Sequence, residues 1–379
     1  MAQAGGGAPA HLRPLEVTDN DTITAVAGIM AGHWTDREAA TGCTVILSPR
    51  GATVGVDVRG GAPGTRETDV ARPTMNAPVA HGVLLSGGSA FGLAAADGVV
   101  RWLEEHGCGL DVGVAHVPLV PGAVIYDLAV GRADVRPDAV AGYAACEAAS
   151  ERPLERGCVG AGTGAAVGHA GGTPLATKSG LGSAALRLPG GPTVAAVTAV
   201  NAFGDVVDPA TGVIVAGARA RVESGGFADT AARIRAGELR DIADTLNRGA
   251  GGPASAPHTV VGVVATDAPL TKLQAARLAL MAHDGLARAI RPAHTMLDGD
   301  TIFALATGTW RPGEDAGRSA GPGPAAAGPS GGHVPTLDVS VLGALAADAF
   351  ALAVLDAVRS ATSMAGLPCA ADVPPVRPA

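Results

Sequence analysis

Apolar and polar positions along this chain alternate in short runs rather than long periodic blocks. The β-branched stretches Thr44–Leu47, Thr53–Val58 and Val83–Leu85 predict strands. The last of them runs into Ser86-Gly-Gly-Ser-Ala-Phe-Gly92 and then a helical pattern through Glu105. Val117–Tyr126 predicts another extended stretch, followed by a polar turn and a helix near Asp138–Ala149. From Cys158 to Gly191 glycine is dense, with strand-like pieces at Ala184–Leu188 and Thr193–Val200, and helical signals return between Phe227 and Leu246. This strand–helix rhythm with glycine turns predicts mixed α/β layers.

The most orderly part comes later. Thr259-Val-Val-Gly-Val-Val-Ala-Thr266 is almost wholly apolar and β-branched, which predicts a buried strand. Thr271 and Gln274 are spaced as a capping box, opening a helix with Leu273, Arg277, Leu280 and Met281 at helical spacing, which Pro292 stops. His294-Thr-Met-Leu-Asp-Gly-Asp300 is a polar turn leading into the apolar run Thr301–Ala306. Two segments break the pattern: Gly249–Pro257 predicts an exposed, mobile loop, and Arg311–Val334, with 11 Gly or Pro among 24 residues, a disordered low-complexity insertion. A disordered tail is expected over about residues 1–20, and no repeat of solenoid length is visible. A flexible loop therefore ends at a threonine that begins a central strand.

Composition narrows the function. With 379 residues, 47% of them apolar, there is enough chain for a real core, in one large domain or two ordinary ones. A net charge of −8 lacks the basic footprint that nucleic-acid binding needs. Five widely spaced cysteines without C-x-x-C predict neither a disulfide framework nor a zinc knuckle. The first residues lack the charged and apolar parts of a signal peptide, and even the greasiest helix candidate, Leu342–Val358, carries Asp348 and Asp356. A soluble, cytoplasmic protein with no membrane partner is the expectation. Only Lys178 and Lys272 are lysines.

Several local motifs have to be weighed. Gly160-Ala-Gly-Thr-Gly164 lacks the third glycine of a dinucleotide loop and has no acidic residue about 20 positions on, so tight turns or close packing explain it better. Gly87-Gly-Ser89-Ala-Phe91 has Phe where a nucleophile elbow needs Gly. Asp298-Gly-Asp300 would put two carboxylates on one side of an extended chain, where like charges raise a pKa; a solvated turn is the plainer alternative. Asn201, at the end of a strand, reads either as a turn residue or as an oxyanion donor. His169 and Lys178 lie in the glycine-rich region, where surface placement is the default, and the apolar neighbours of Tyr126 suggest a core position.

The order of these blocks resembles the self-cleaving N-terminal-nucleophile family of D-/L-aminopeptidases, β-peptidyl aminopeptidases and 6-aminohexanoate-oligomer (nylon oligomer) hydrolases. The resemblance runs from about Ile23 to Gly366. It rests on Leu85–Leu93, Val117–Leu128, Gly160–Gly164, Lys178-Ser-Gly-Leu-Gly-Ser183, Val200-Asn-Ala-Phe-Gly204, Thr259–Asp267 and Asp298-Gly-Asp-Thr301. It implies a four-layer α/β/β/α sandwich, one domain over 1–379, and autocatalytic cleavage between His258 and Thr259, giving an α chain 1–258 and a β chain 259–379. Assembly as a tetramer of α/β heterodimers, with no metal or organic cofactor, is implied as well.

Roles follow from the same resemblance. Thr259 would be the nucleophile, Asn201 an oxyanion donor, and Asp298 and Asp300 the groups that orient and balance the Thr259 amine and hydroxyl. Tyr126 and His169 would contact substrate, and Lys178 would order the glycine-rich loop. A freed α-amine, with a pKa of roughly 8, gives the Thr259 hydroxyl a base of its own. Two positions depart from the family pattern: His169 stands where many members have Lys, and His258 where Asn or Gly commonly precedes the nucleophile. The Thr nucleophile with Asp-Gly-Asp tilts the expected substrate toward linear amides or ω-amino-acid oligomers among small peptides and amides. The rival expectations are acyl transfer of the ornithine acetyltransferase kind and a non-catalytic binding protein with a decayed site.

Overall fold

The computed structural model describes residues 20–220, 225–239, 258–311 and 338–374. The expected tail, the Gly249–Pro257 loop and nearly all of the Arg311–Val334 insertion lie outside them. Nine strands form one mixed sheet: β1 (Met30–Asp36), β2 (Thr41–Val58), β3 (Thr65–Arg66), β4 (Ala80–Ser86), β5 (Gly122–Val124), β6 (Leu181–Arg187), β7 (Thr193–Asn201), β8 (Thr259–Thr266) and β9 (Thr301–Ala306). Their order is β6-β7-β8-β9-β2-β4-β5-β3, with β1 beside β2. The β8–β9 and β4–β5 pairs are parallel, whereas β7–β8 and β9–β2 are antiparallel.

Two predicted strands prove to be one. Strand β2 is 18 residues long; its first part pairs with β1 and β4 and its second with β9, with a register shift between Leu47 and Ala52. The Val117–Tyr126 stretch divides instead. His116–Val117 pairs with Leu110–Asp111, and only Gly122–Val124 joins the large sheet. Pro118 and Pro121 explain the break, since neither offers an N–H to a ladder.

Side chains alternate between faces with a period of two, and each face finds a different partner. Val194, Ala196 and Val200 of β7, Val260 and Val264 of β8, and Ile302 and Ala304 of β9 pack under Leu278, Leu286, Phe350 and Val354 of two long helices. The intervening residues Ala195, Val197, Val261, Val263, Phe303 and Leu305 meet Ile46, Val83, Leu85 and Ala123. On the far side, Cys43, Val45, Leu47 and Leu84 pack against α1 (Ala95–Glu105) and α2 (Ala139–Glu147). Burial on both faces is why β8 reads as a continuous apolar run.

Of the Phe227–Leu246 helical signal, the described part is α3 (Thr230–Arg235), whose N-cap Asp229 accepts from the Ala232 amide. The long helices are α4 (Lys272–Ala289) and α5 (Val339–Arg359). Both bonds of the Thr271/Gln274 capping box are present. Helix α4 buries Ala275, Leu278, Ala279, Ala282 and Leu286, while Leu273 is 70% exposed, so the core face lies beside the one marked by Leu273 and Arg277. Gly285 allows α5 to cross closely: a Cβ there would stand 1.9 Å from the Ala347 carbonyl oxygen. By length and composition α5 could cross a membrane, yet most of it is buried here against α4 and the sheet.

Candidate active site

Thr259 is the first residue of β8, buried, and paired across the sheet with Asn201, the last residue of β7. The chain before it is held as tightly as the strand after it. The His258 N–H donates to the Leu297 carbonyl at 2.7 Å, and the His258 carbonyl accepts from the Gly299 N–H at 2.7 Å. A Cβ at residue 299 would lie 2.8 Å from the Thr259 Oγ1 and 2.7 Å from the Ala62 carbonyl oxygen, so only glycine fits there. One backbone amide thus grips the carbonyl preceding Thr259 while leaving room for its hydroxyl.

Asp298 and Asp300 flank that glycine, and both are buried rather than solvated. Asp298 accepts from the Thr295 amide at 2.8 Å and the Phe203 amide at 3.4 Å. Asp300 accepts from the Val260 amide at 2.9 Å through one oxygen. Its other oxygen takes the His294 backbone at 3.1 Å and the His294 Nδ1 at 2.7 Å. Of these contacts, the Asp300–Val260 bond holds the chain just after Thr259, while His258 just before it is held by backbone alone. Burial, reinforced by the nearby Asp300 charge, pushes the Asp298 carboxyl up to about 7.

Asn201 links three pieces of chain. Its Nδ2 donates to the Tyr126 carbonyl at 3.1 Å, its Oδ1 accepts from the Ala166 amide at 3.1 Å, and an amide nitrogen has a second hydrogen to offer. Tyr126 is only half-buried, in contrast to the core position its neighbours suggested, because it follows the short strand β5 and meets the site through its backbone.

Surface placement, the default for Lys178 and His169, is wrong for both. Lys178 is fully buried and donates to the carbonyls of Gly162 at 3.3 Å, Ala165 at 2.8 Å and Ser179. Side-chain-free glycine turns expose the backbone acceptors that an ammonium needs to be buried at all. Burial still draws its pKa down. Beside it, Gly162 and Gly164 press on the Leu181 amide and the Ala40 carbonyl, so the Gly160–Gly164 run serves close packing.

His169 is buried and stacked on His258, with ring centroids 4.1 Å apart and planes 22° from parallel. Phe203 tilts against His258 at 5.8 Å. The His169 Nε2 faces the Ala166 carbonyl at 3.2 Å, whereas its Nδ1 and both His258 ring nitrogens are buried without a hydrogen-bond partner. Burial lowers the His169 pKa to about 4 and that of His258 well below the ordinary range.

The structure thus gathers Thr259, His258, Asn201, Asp298, Asp300 and His169 around one bond, with Tyr126 reached through its backbone and Lys178 behind the glycine-rich loop. Sequence reasoning missed His294, which grips Asp300, and Asp127, which accepts from the Gly88 amide and the Thr41 hydroxyl, both at 2.7 Å. It also missed Gly299 and Phe203. His294 carries a signal, a histidine opening the turn that ends in Asp300; the others depend on contacts distant in sequence. No cluster of three His, Cys, Asp or Glu side chains suited to a metal occurs among the described residues.

Comparisons with known proteins place the chain as a whole among relatives. The model of peptidase family S58 matches residues 21–369. The chain is 46% identical over 367 residues to an uncharacterized aminopeptidase of Mycobacterium tuberculosis, covering 94% of this chain and 98% of that protein. It is 30% identical over 303 residues to the 6-aminohexanoate-oligomer endohydrolase of Kocuria sp., covering 80% and 79%. The solved L-aminopeptidase D-Ala-esterase/amidase of Ochrobactrum anthropi, described as a variant of the Ntn hydrolase fold, superposes with a TM-score of 0.62 at 21% identity, covering 92% of this chain and 90% of the other.

Proposed function

The chain belongs to peptidase family S58, whose members among its relatives are amide hydrolases, and from that premise we propose that it is an autoprocessing hydrolase with Thr259 as nucleophile. The observation that carries this reading is the grip on the His258–Thr259 bond. The carbonyl ahead of Thr259 is fixed by the Gly299 amide, beside a hydroxyl that only a glycine leaves free.

In maturation the Thr259 Oγ1 adds to the His258 carbonyl carbon, and the Gly299 N–H holds the oxygen as charge develops on it. Asp298, with its raised pKa, suits the role of base for that hydroxyl. The C–N bond breaks as the Thr259 nitrogen takes up the proton. Water then hydrolyses the ester, leaving a His258 carboxylate and a free Thr259 α-amine. In turnover that amine receives the Oγ1 proton as the oxygen attacks a substrate amide. The leaving amine departs with a proton, and water resolves the acyl ester. The second Nδ2 hydrogen of Asn201 stabilises the oxyanion, while Asp300, held by His294, keeps the start of β8 in register.

The rest of the reading follows the family. The three apolar clusters support a four-layer α/β/β/α sandwich, a single domain that stays together as chains 1–258 and 259–379. Small peptides or linear amides are the substrate class, and a cytoplasmic tetramer of α/β heterodimers is the assembly. The test is release of amine from short amides by wild type and Thr259→Ala, with N-acetylornithine plus glutamate in parallel. Hydrolysis by wild type alone is expected; acetyl transfer without hydrolysis would replace this reading.

A further inference from the structure

Resting on Thr259 as nucleophile, one more property can be drawn from the residue that precedes it. The same oxygen attacks the His258 carbonyl in maturation and the substrate carbonyl in turnover. The acyl group of a substrate must therefore occupy the space that His258 occupies in the uncut chain.

That space has a definite shape and chemistry. His169 forms one wall, parallel to the His258 ring within 22° at 4.1 Å, and Phe203 closes another side at 5.8 Å. Phe203 is fully buried among Ala170, Leu239, Ile234 and Leu297. Neither nitrogen of His258 has a hydrogen-bond partner, so the ring is retained by flat contact alone and can leave without breaking a polar bond. Once it leaves, the slot is bounded by the His169 ring, whose Nδ1 has no hydrogen-bond partner while His258 is in place, and by the Phe203 ring. A buried slot walled by two rings favours uncharged groups, because an unpaired charge taken out of water is costly.

We propose that the slot vacated by the His258 ring is the acyl subsite of the mature enzyme, and that it selects amides whose acyl residue carries a flat, uncharged ring. Phenylalanyl and histidyl amides are its substrates; alanyl amides underfill it, and lysyl amides bring a charge it cannot solvate.

The test uses L-aminoacyl 4-nitroanilides of Phe, His, Ala and Lys, with maturation of every preparation checked by intact mass. For matured wild type, kcat/KM for Phe and His is expected to exceed that for Ala and Lys by about tenfold or more, the scale of a stacked aromatic contact plus its buried area. His169→Ala, and independently Phe203→Leu, should shrink the Phe/Ala ratio at least about threefold, mainly through KM. The uncut chain offers a second readout. His258→Phe should be cleaved about as fast as wild type, and His258→Lys about tenfold or more slowly, since the same slot would have to take the charge. A matured enzyme that turns over Ala or Lys amides as well as Phe, or matured variants with an unchanged ranking, would overturn this inference alone. A wild-type chain that stays whole would overturn the Thr259 reading and this inference with it.

Discussion

The two sides of the His258–Thr259 bond are built in opposite ways. Downstream, all four carboxylate oxygens of Asp298 and Asp300 have partners, namely the amides of Phe203, Thr295, Val260 and His294 and the His294 ring. Upstream, two buried histidines stack face to face with three ring nitrogens left unpaired. Unpaired buried polar atoms are ordinarily costly, and paired ones rigidify their surroundings. On the proposed mechanism the paired carboxylates stay in place through the reaction, while the stacked rings part after it.

If the downstream side is the fixed half, removing its donors should cost the most. Asn201→Ala is expected to lower kcat by about 10²–10³ without unfolding the protein, measured on preparations matched by circular dichroism. Gly299→Ala would set a methyl 2.8 Å from the Thr259 Oγ1 and disturb the amide that holds the scissile carbonyl. Scission should slow by roughly 10²-fold on the scale of one lost oxyanion donor, followed as the fraction cleaved against time. Cleavage at the wild-type rate would remove Gly299 from the account.

The scaffold behind the site should respond in stability rather than chemistry. Lys178→Met strands three buried carbonyls and should cost about 3 kcal/mol in denaturant unfolding, within the range for breaking a buried charged network.

The smallest effect concerns pH. His169 is held near 4 when folded but titrates near 6.5 unfolded, so the unfolded chain binds the extra proton and stability is lost as pH falls from about 6.5 to about 4. Asp298, raised to about 7 from 3.8, works the other way: the folded chain keeps its proton longer, and stability is lost as pH rises from about 4 to about 7. His169→Phe removes the first slope, together with the repulsion by which His169 helps to lower the His258 pKa. Its stability relative to wild type should grow as pH drops from 6.5 toward 4, as read from unfolding midpoints at pH 5 and pH 7. A constant difference across that window would mean that His169 is not held neutral.

Much of this was legible beforehand, for physical reasons that differ by element. Strands β7, β8 and β9 were readable because burial on both faces leaves a run of Val, Ala and Ile that little else explains. The capping box announced α4 in the same local way. The continuity of β2 was hidden by Ser48-Pro-Arg-Gly51, which reads as a turn, while the structure passes it as a register shift with Gly51 at φ 80°. Thr259, Asn201, Asp298 and Asp300 stood out because each lies where an apolar run begins or ends. Burial of Lys178 and His169 could not be read locally, since it depends on carbonyls and a ring supplied from elsewhere in the chain. The grip of Gly299 on His258 spans some forty positions and leaves no mark in either segment.

The most direct measurement is the intact mass of purified wild type and Thr259→Ala under denaturing conditions. The account predicts two wild-type fragments, residues 1–258 and 259–379, and a single full-length mutant chain. Cleavage of the mutant at the same bond, or a wild-type chain that hydrolyses amides while remaining whole, would contradict it.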